Sequence, residues 1–368
     1  MKIVLAPDKF KGCLSASGVA RAMAEGVRRV RPDAIVDECP IADGGEGTVE
    51  ALVTATGGRF ETRRVVGPLP DMKVDATFGI LGDGKTAVIE MAAASGLALL
   101  PPSDRNPFRT TTFGTGQLLL EAAKLGVSEI ILGIGGSATA DGGIGAAQAC
   151  GQPVILDEIG PADVHEPLVG EDLPRVVLVK HARGSPLDRV KITVACDVTN
   201  PLFGPNGAAR VFGPQKGATP QQVVELDQLL QRLAERCGKL DEANTPGAGA
   251  AGGLGFAMLA FFGATLRPGF NIVADAVNLR DRLRGADLCI AGEGRLDQSS
   301  LAGKAAVAVS RMCKELGVPC GIIAGQIDIT LRGNPLFTMQ HALSDGDQDS
   351  YAKARELISE AAAAMMVQ

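Results

Sequence analysis

The stretch GGSATADGG, residues 135–143, lies between an apolar run, SEIILGI, and a helix-like run, IGAAQA. Gly135, Gly136, Gly142 and Gly143 let backbone N–H groups come close to a ligand, and Ser137 and Thr139 carry hydroxyl donors. A strand-to-helix turn of this make-up collects phosphate, because its amides and the helix N-terminus both favour negative charge. An ordinary connecting loop is the alternative. Three more stretches place charge and glycine directly after a strand. In PDKFKG (7–12), Lys9 and Lys11 can meet a carboxylate or a phosphate, with Asp8 beside them. ADGGEGT (42–48) carries Asp43, and GEGRLDQSSLAGK (292–304) carries Glu293, Arg295, Asp297 and Lys304 in what reads as a strand-to-helix loop. Each alone is as well explained by a surface turn. Together they put charge and glycine at the carboxyl ends of most predicted parallel strands, where ligands gather. CDVTNPLFGPNGAARVFGPQKGAT (196–219) adds Asp197, Asn200, Asn206 and Lys216. Asp197 at a strand end can hold Mg²⁺, act as a base, or cap an Asx turn.

Two glycine motifs are decoys. GILGDGKT (79–86) has the letters of a P-loop, but TAVIEMA follows it, which is β-branched and lacks a helical stripe. Asp83-Gly84 is a hairpin dipeptide, so the spacing predicts two strands and a turn. GAGAAGG (247–253) fits GxGxxG without the preceding strand that a dinucleotide site needs. His165, His181 and His341 show no metal-ligand spacing and read as surface or satisfied residues.

These loops need elements to aim them. KIVLAP, SASGVARAMAEGVRRV, IVDECP and GGEGTVEALVTATGG alternate strand and helix, the pattern of a parallel sheet with covered faces. FETRRVVGP, MKVDATFGIL and TAVIEMA read as an antiparallel patch, after which alternation returns. ADLCIAG, LAGKAAVAVSRMCKELG and PCGIIAG are again strand, helix, strand. The ends share one style and the middle another. The expectation is therefore two α/β domains: residues 1–66 with 280–368 as a discontinuous, Rossmann-like domain with a mostly parallel sheet, and 67–279 as an inserted domain with a mixed sheet. Residues 152–189, rich in proline, read as an irregular surface excursion.

Composition excludes several classes. With 36 basic and 42 acidic side chains the formal net charge is −6, which argues against nucleic acid. Eight cysteines without a CxxC pair read as reduced core residues, and neither a disulfide framework nor a zinc site is expected. The start, MKIVLAPDKF, carries charge too early for a signal peptide. The uncharged stretch from Ala243 to Leu266 begins with turn-rich glycines, so it reads as a buried loop entering a core helix.

The order APDKFKG, ADGGEGT, GTGQL, GIGGSATADGG, CDVTNPLFGPNGAARVFGPQKGAT, PGAGAAGGLG and GEGRLDQ…GK resembles the bacterial two-domain glycerate kinases, over residues 5 to about 325. Residues 152–189 and the tail after 326 depart from the usual family pattern. The resemblance implies phosphorylation of D-glycerate by ATP and Mg²⁺ in a cleft between two domains of a cytoplasmic enzyme, with the 2-position favoured. It implies no nucleic-acid or membrane partner and leaves room for a homodimer. Given that reaction, the substrate carboxylate needs Lys9, Lys11 or Arg295, with Glu293 beside them. The polyphosphate suits Gly135, Gly136, Ser137, Thr139, Gly142 and Gly143, with Lys216. Mg²⁺ suits Asp197 and Asp43, and the base is Asp197 or Asp8.

Overall fold

The computed structural model describes residues 1–157, 160–163, 165–302, 304–343 and 353–367. Along the chain come β1 (Lys2–Pro7), α1 (Ala16–Val30), β2 (Ile35–Glu38), α2 (Thr48–Thr56), β3 (Arg59–Val66), β4 (Lys73–Ile80) and β5 (Thr86–Glu90). The middle holds α3 (Ala92–Ser95), α4 (Phe113–Lys124), β6 (Glu129–Gly133), α5 (Ile144–Ala149), β7 (Val154–Leu156), β8 (Gly160–Pro161), β9 (Val176–Val179) and β10 (Lys191–Ala195). Then follow α6 (Ala208–Phe212), α7 (Pro220–Arg236), α8 (Leu240–Asn244), α9 (Leu254–Phe262), β11 (Thr265–Arg267), α10 (Gly269–Ala276) and α11 (Leu279–Leu283). The chain closes with β12 (Leu288–Leu296), α12 (Ala305–Leu316), β13 (Cys320–Ile327), β14 (Met339–Ala342) and α13 (Ala354–Met365). Contacts divide it into two compact units: Met1–Asp43, Glu50–Gly58 and Phe270–Gln368 form unit 1, and Gly44–Val49 with Arg59–Gly269 form unit 2.

Among the described residues of unit 1, one sheet runs β14-β13-β12-β1-β2, and every neighbouring pair is parallel. Counted within the unit this is the doubly wound order 2-1-3-4-5, whose strand order reverses between β1 and β12. Ser15 caps α1 by accepting from the Gly18 N–H, and Val19, Met23 and Val27 recur at helical spacing to bury one face. That face meets Ile3, Leu5, Leu288, Ile290 and Ile323 of the sheet and Ile358, Ala361 and Ala362 of α13. The two helices touch backbone to backbone, since a Cβ on Gly26 would lie 2.0 Å from the Ser359 carbonyl oxygen.

Unit 2 carries a sheet in the order β11-β10-β6-β5-β4-β3, in which β11, β10, β6 and β5 are parallel and β4 and β3 run antiparallel. The α/β class and the mixed sheet match the sequence expectation. Two local readings need correction. Residues 152–189 are more than a surface excursion: β8-β7-β9 form an antiparallel sheet, and Val154, Leu156, Leu168 and Val176 share a core with α7 and α9. The short runs VIL and VVLV bury themselves despite the prolines around them. Of this stretch, residues 158, 159 and 164 lie outside the described residues. Likewise GEGRL is strand, not loop. β12 runs on through Leu296 because β13 keeps pairing with it, Arg295 opposite Gln326. The stretch Ala243–Leu266 runs through α9, which is nine residues long and largely buried, into β11, and among the described residues no helix is long and apolar enough to cross a membrane.

GILGDGKT is a hairpin. Asp83 accepts from the N–H groups of Lys85 and Thr86 at 2.8 and 2.9 Å and from the Thr86 hydroxyl at 2.7 Å, and the next strand begins at Thr86. Lys85 is an exposed turn residue. Lys85→Ala is expected to change unfolding free energy by less than about 0.5 kcal/mol, the usual range for a surface site. Urea denaturation of the purified variant tests this.

Candidate functional site

In unit 1, the chain leaving β1 donates the Asp8 N–H to the Gly292 carbonyl of β12 at 2.8 Å. The Asp8 Oδ1 then accepts from the Lys9 N–H at 2.7 Å. Phe10 is buried and closes a tight turn with Leu14, which leaves Lys11 exposed. Burial first, then the nearby Asp43 charge, pushes the Asp8 carboxyl up to about 7, against opposing pulls from Lys9 and Lys304.

Glu293 sits on the adjacent strand and is only 6% exposed. Its Oε2 accepts from the Ser300 hydroxyl at 3.1 Å, while Oε1 is buried without a hydrogen-bond partner among the described residues. Burial pushes this carboxyl up to about 7 as well; Ser300 and Lys304 pull the other way, and Asp8 adds to the rise. An orphaned buried carboxylate oxygen is costly and marks a place where a proton, a ligand donor or a cation would be welcome. Asp297 lies 3.6 Å from Arg295 Nε and 3.7 Å from Lys304 Nζ, and the Ser300 hydroxyl accepts from its N–H at 3.2 Å. The Arg295 side chain is 66% exposed. Gly303 of this stretch lies outside the described residues.

In unit 2, Ala195 of β10 pairs with Gly133 of β6, so Asp197 and Gly135 each stand two residues beyond one rung of the ladder. Gly135 and Gly136 are exposed, but Ser137, Thr139, Gly142 and Gly143 are buried. Lys216 is also buried and donates to the Ser137 hydroxyl at 2.7 Å and to the Thr139 carbonyl at 2.6 Å. Burial pushes its amine down to about 7, offset by Asp141. The Thr139 hydroxyl donates to the Ala251 carbonyl at 3.4 Å. Gly142 and Gly143 adopt positive φ, and a Cβ there would lie 2.6 Å from Leu233 and 2.3 Å from Ala257. Those two glycines are required by packing, and Gly135 and Gly136 are the exposed glycines of the turn. The glycines at 247–253 pack likewise: Gly252 lies under Thr139, and its carbonyl accepts from the Gly142 N–H.

Asp141 was not singled out from sequence. It is wholly buried and accepts from the Thr112 N–H and hydroxyl at 2.8 and 2.7 Å, and from the N–H groups of Gly143 and Gly145 at 3.1 and 3.3 Å. Burial raises its carboxyl despite these donors. The sign was available: an acid flanked by glycines in a turn has amides to bind. Ser300, also missed, carries no sequence signal, because its role comes from the turn that folds it back on Glu293. Asp197 is exposed, and its Oδ1 accepts from the Gly269 N–H at 2.9 Å. Asn200 donates to the Asn206 carbonyl at 2.8 Å. Asp43 is partly buried and near Asp8, so the two offer hard oxygen donors whose mutual repulsion a divalent cation would relieve.

The comparisons agree with one another. A sequence model of the glycerate kinase family matches residues 3–366. A relative named glycerate 2-kinase, from Escherichia coli strain K12, is 48% identical over 334 residues, covering 89% of this chain and 86% of its own. One named glycerate kinase, from Bacillus subtilis strain 168, is 47% identical, covering 89% and 85%. A solved crystal structure from Salmonella typhimurium LT2, carrying a provisional glycerate kinase 2 name, has a TM-score of 0.89 at 43% identity and covers 100% of this chain and 97% of its own.

The raised Asp8 carboxyl has a signed consequence. Its ordinary value is 3.8 and its folded value about 7, so between these the folded chain holds a proton that the unfolded chain releases. Stability therefore falls as pH rises through that window, and the full cost stands above pH 7. Asp8→Asn keeps the Lys9 hydrogen bond without the charge. At pH 8 it is expected to be more stable than wild type by about 1–2 kcal/mol, less than the ~4 kcal/mol that such a shift would give a group wholly out of water. At pH 5 the gain should shrink. Urea titrations at both values check this, and an equal gain at both would contradict it.

Proposed function

The chain belongs to the glycerate kinase family, and from that premise we propose that it transfers the γ-phosphoryl group of ATP to the 2-hydroxyl of D-glycerate. The observation that carries the mechanism is the carboxyl of Asp8, displaced to about 7 at the end of β1 beside cationic side chains. A base titrating there is half-ionised near neutral pH and can take the hydroxyl proton as the phosphoryl group arrives. Lys9, Lys11 and Arg295 supply positive charge for the substrate carboxylate. Glu293, whose carboxyl is held as high, can in its protonated form donate to a substrate oxygen.

Unit 2 supplies the phosphate side. The exposed amides of Gly135 and Gly136 bind polyphosphate. Lys216 acts from beneath, holding the Ser137–Thr139 turn in place rather than touching the nucleotide. Mg²⁺ would neutralise phosphate charge, and hard oxygens that suit it are offered by Asp197 in this unit and, separately, by Asp43 in unit 1. Phosphoryl transfer depends mostly on such positioning and charge neutralisation.

The ³¹P spectrum of the product made from D-glycerate and MgATP tests the reading. Phosphate at the 2-position couples across the three P–O–C–H bonds to one proton and gives a doublet; phosphate at the 3-position couples to two and gives a triplet. A doublet is expected. Formation of ADP without an organic phosphomonoester would refute the kinase reading.

Two variants assign roles. Lys9→Ala is expected to lower kcat/KM about a hundredfold, the size of one charged hydrogen bond in a dry site at ~3 kcal/mol. Asp197→Asn keeps the shape and the bond to Gly269 but loses charge, so turnover should collapse with the fold intact. Activity within about threefold of wild type, roughly 0.7 kcal/mol in the barrier, would remove Asp197 from the site.

A further inference from the structure

Away from these residues, three of the eight cysteines converge. Cys289 of β12 and Cys320 of β13 are paired neighbours in the parallel ladder, so their side chains leave the same face of the sheet side by side. The opposite face carries Ile290 and Ile323 toward the α1 core. Cys313 comes from α12, which packs on both strands. The three sulfurs lie within 4.8 Å of one another, and all three residues are buried. Every cysteine in the chain is a free thiol, so none of the three is bridged.

We propose that Cys289, Cys313 and Cys320 form a three-thiolate site for a single soft, monovalent cation of the Cu(I) class. Soft thiolates select Cu(I), zinc or iron–sulfur clusters. Structural zinc takes four ligands, and iron–sulfur clusters need four cysteines. Among the described residues this group supplies three donors, all inside the core. That set fits a three-coordinate metal and leaves zinc a ligand short. Binding forms metal–sulfur bonds and releases the thiol protons to solvent, with no change of oxidation state, so affinity rises with pH. The ion would tie β12 and β13 to α12. Residues 289, 291 and 293 alternate onto one face of β12, and α12 begins directly after Lys304, so the staple lies under elements that carry part of the candidate site. A ligand held only by the folded chain raises its melting temperature.

The test is an anaerobic titration of the full chain with Cu(I) against the chromophoric chelator bicinchoninate. One equivalent retained per chain by native mass spectrometry, an all-sulfur, three-coordinate X-ray absorption spectrum and a raised Tm are expected. The combined variant Cys13→Ser, Cys196→Ser and Cys237→Ser, which alters only half-buried thiols outside the trio, should keep that equivalent. Cys313→Ser should lose it while its circular dichroism stays that of wild type. No equivalent held against the chelator, or one that survives Cys313→Ser, overturns the proposal. So does a wild-type spectrum with two sulfurs or with nitrogen or oxygen ligands, which decides the matter even if Cys313→Ser fails to fold. Retention of four-coordinate zinc in preference to Cu(I) also overturns it.

Discussion

One rung of a ladder governs unit 1. Pro7 stands opposite Gly292, and the next N–H, that of Asp8, bonds to the Gly292 carbonyl. At this pair the strand order reverses, so connections leave β1 and β12 in opposite directions and a crevice opens at their carboxyl ends. Two carboxylates, Asp8 and Glu293, are carried into it by the backbone register itself. Both are held above their ordinary range mainly by burial. A chain optimised only for stability would not place two acids on adjacent strands out of water, and that conflict between local chemistry and fold is why the pair stands as a candidate site.

Unit 2 handles buried charge in the opposite way. Asp141 is completely enclosed yet accepts from Thr112, Gly143 and Gly145, which binds the 135–143 turn to the start of α4. Lys216 secures the other side of the same turn through Ser137 and Thr139. A satisfied buried network fixes one arrangement, whereas the orphaned Glu293 oxygen leaves one open. The exposed amides of Gly135 and Gly136 thus stand on a rigid base.

Sequence periodicity was enough for the strands and helices that bury one clear face, such as β1 with α1, and for the hairpin at Asp83-Gly84. It also marked the stretches that carry the candidate site, because charge and glycine after a strand have a stated reason to be there. It failed where pairing partners decide the outcome. GEGRL becomes strand because β13 continues beside it, and no property of those five residues says so. The same holds inside GGSATADGG: nothing local separates Gly135, which faces water, from Gly143, which faces Ala257. Which glycine serves a ligand and which serves packing is fixed by residues more than a hundred positions away. The trio of cysteines was invisible for the same reason, since residues 289, 313 and 320 share no short spacing and meet only through β-pairing and a crossover helix.

The seating of α13 on α1 has a consequence for biosynthesis. The groove at Gly26 that receives Ser359, and the apolar face of Val19, Met23 and Val27, are made early by the ribosome and covered last. Residues 59–269 can collapse into their own sheets while β1 still lacks β12 on one side. The edge of β1 stays open until β12 is made, and the helix stripe stays uncovered until translation passes residue 365. These are the features that promote aggregation and recruit chaperones. A ribosome stalled late in the message would therefore hold a chain with unit 2 formed and unit 1, which carries Asp8, still unfolded.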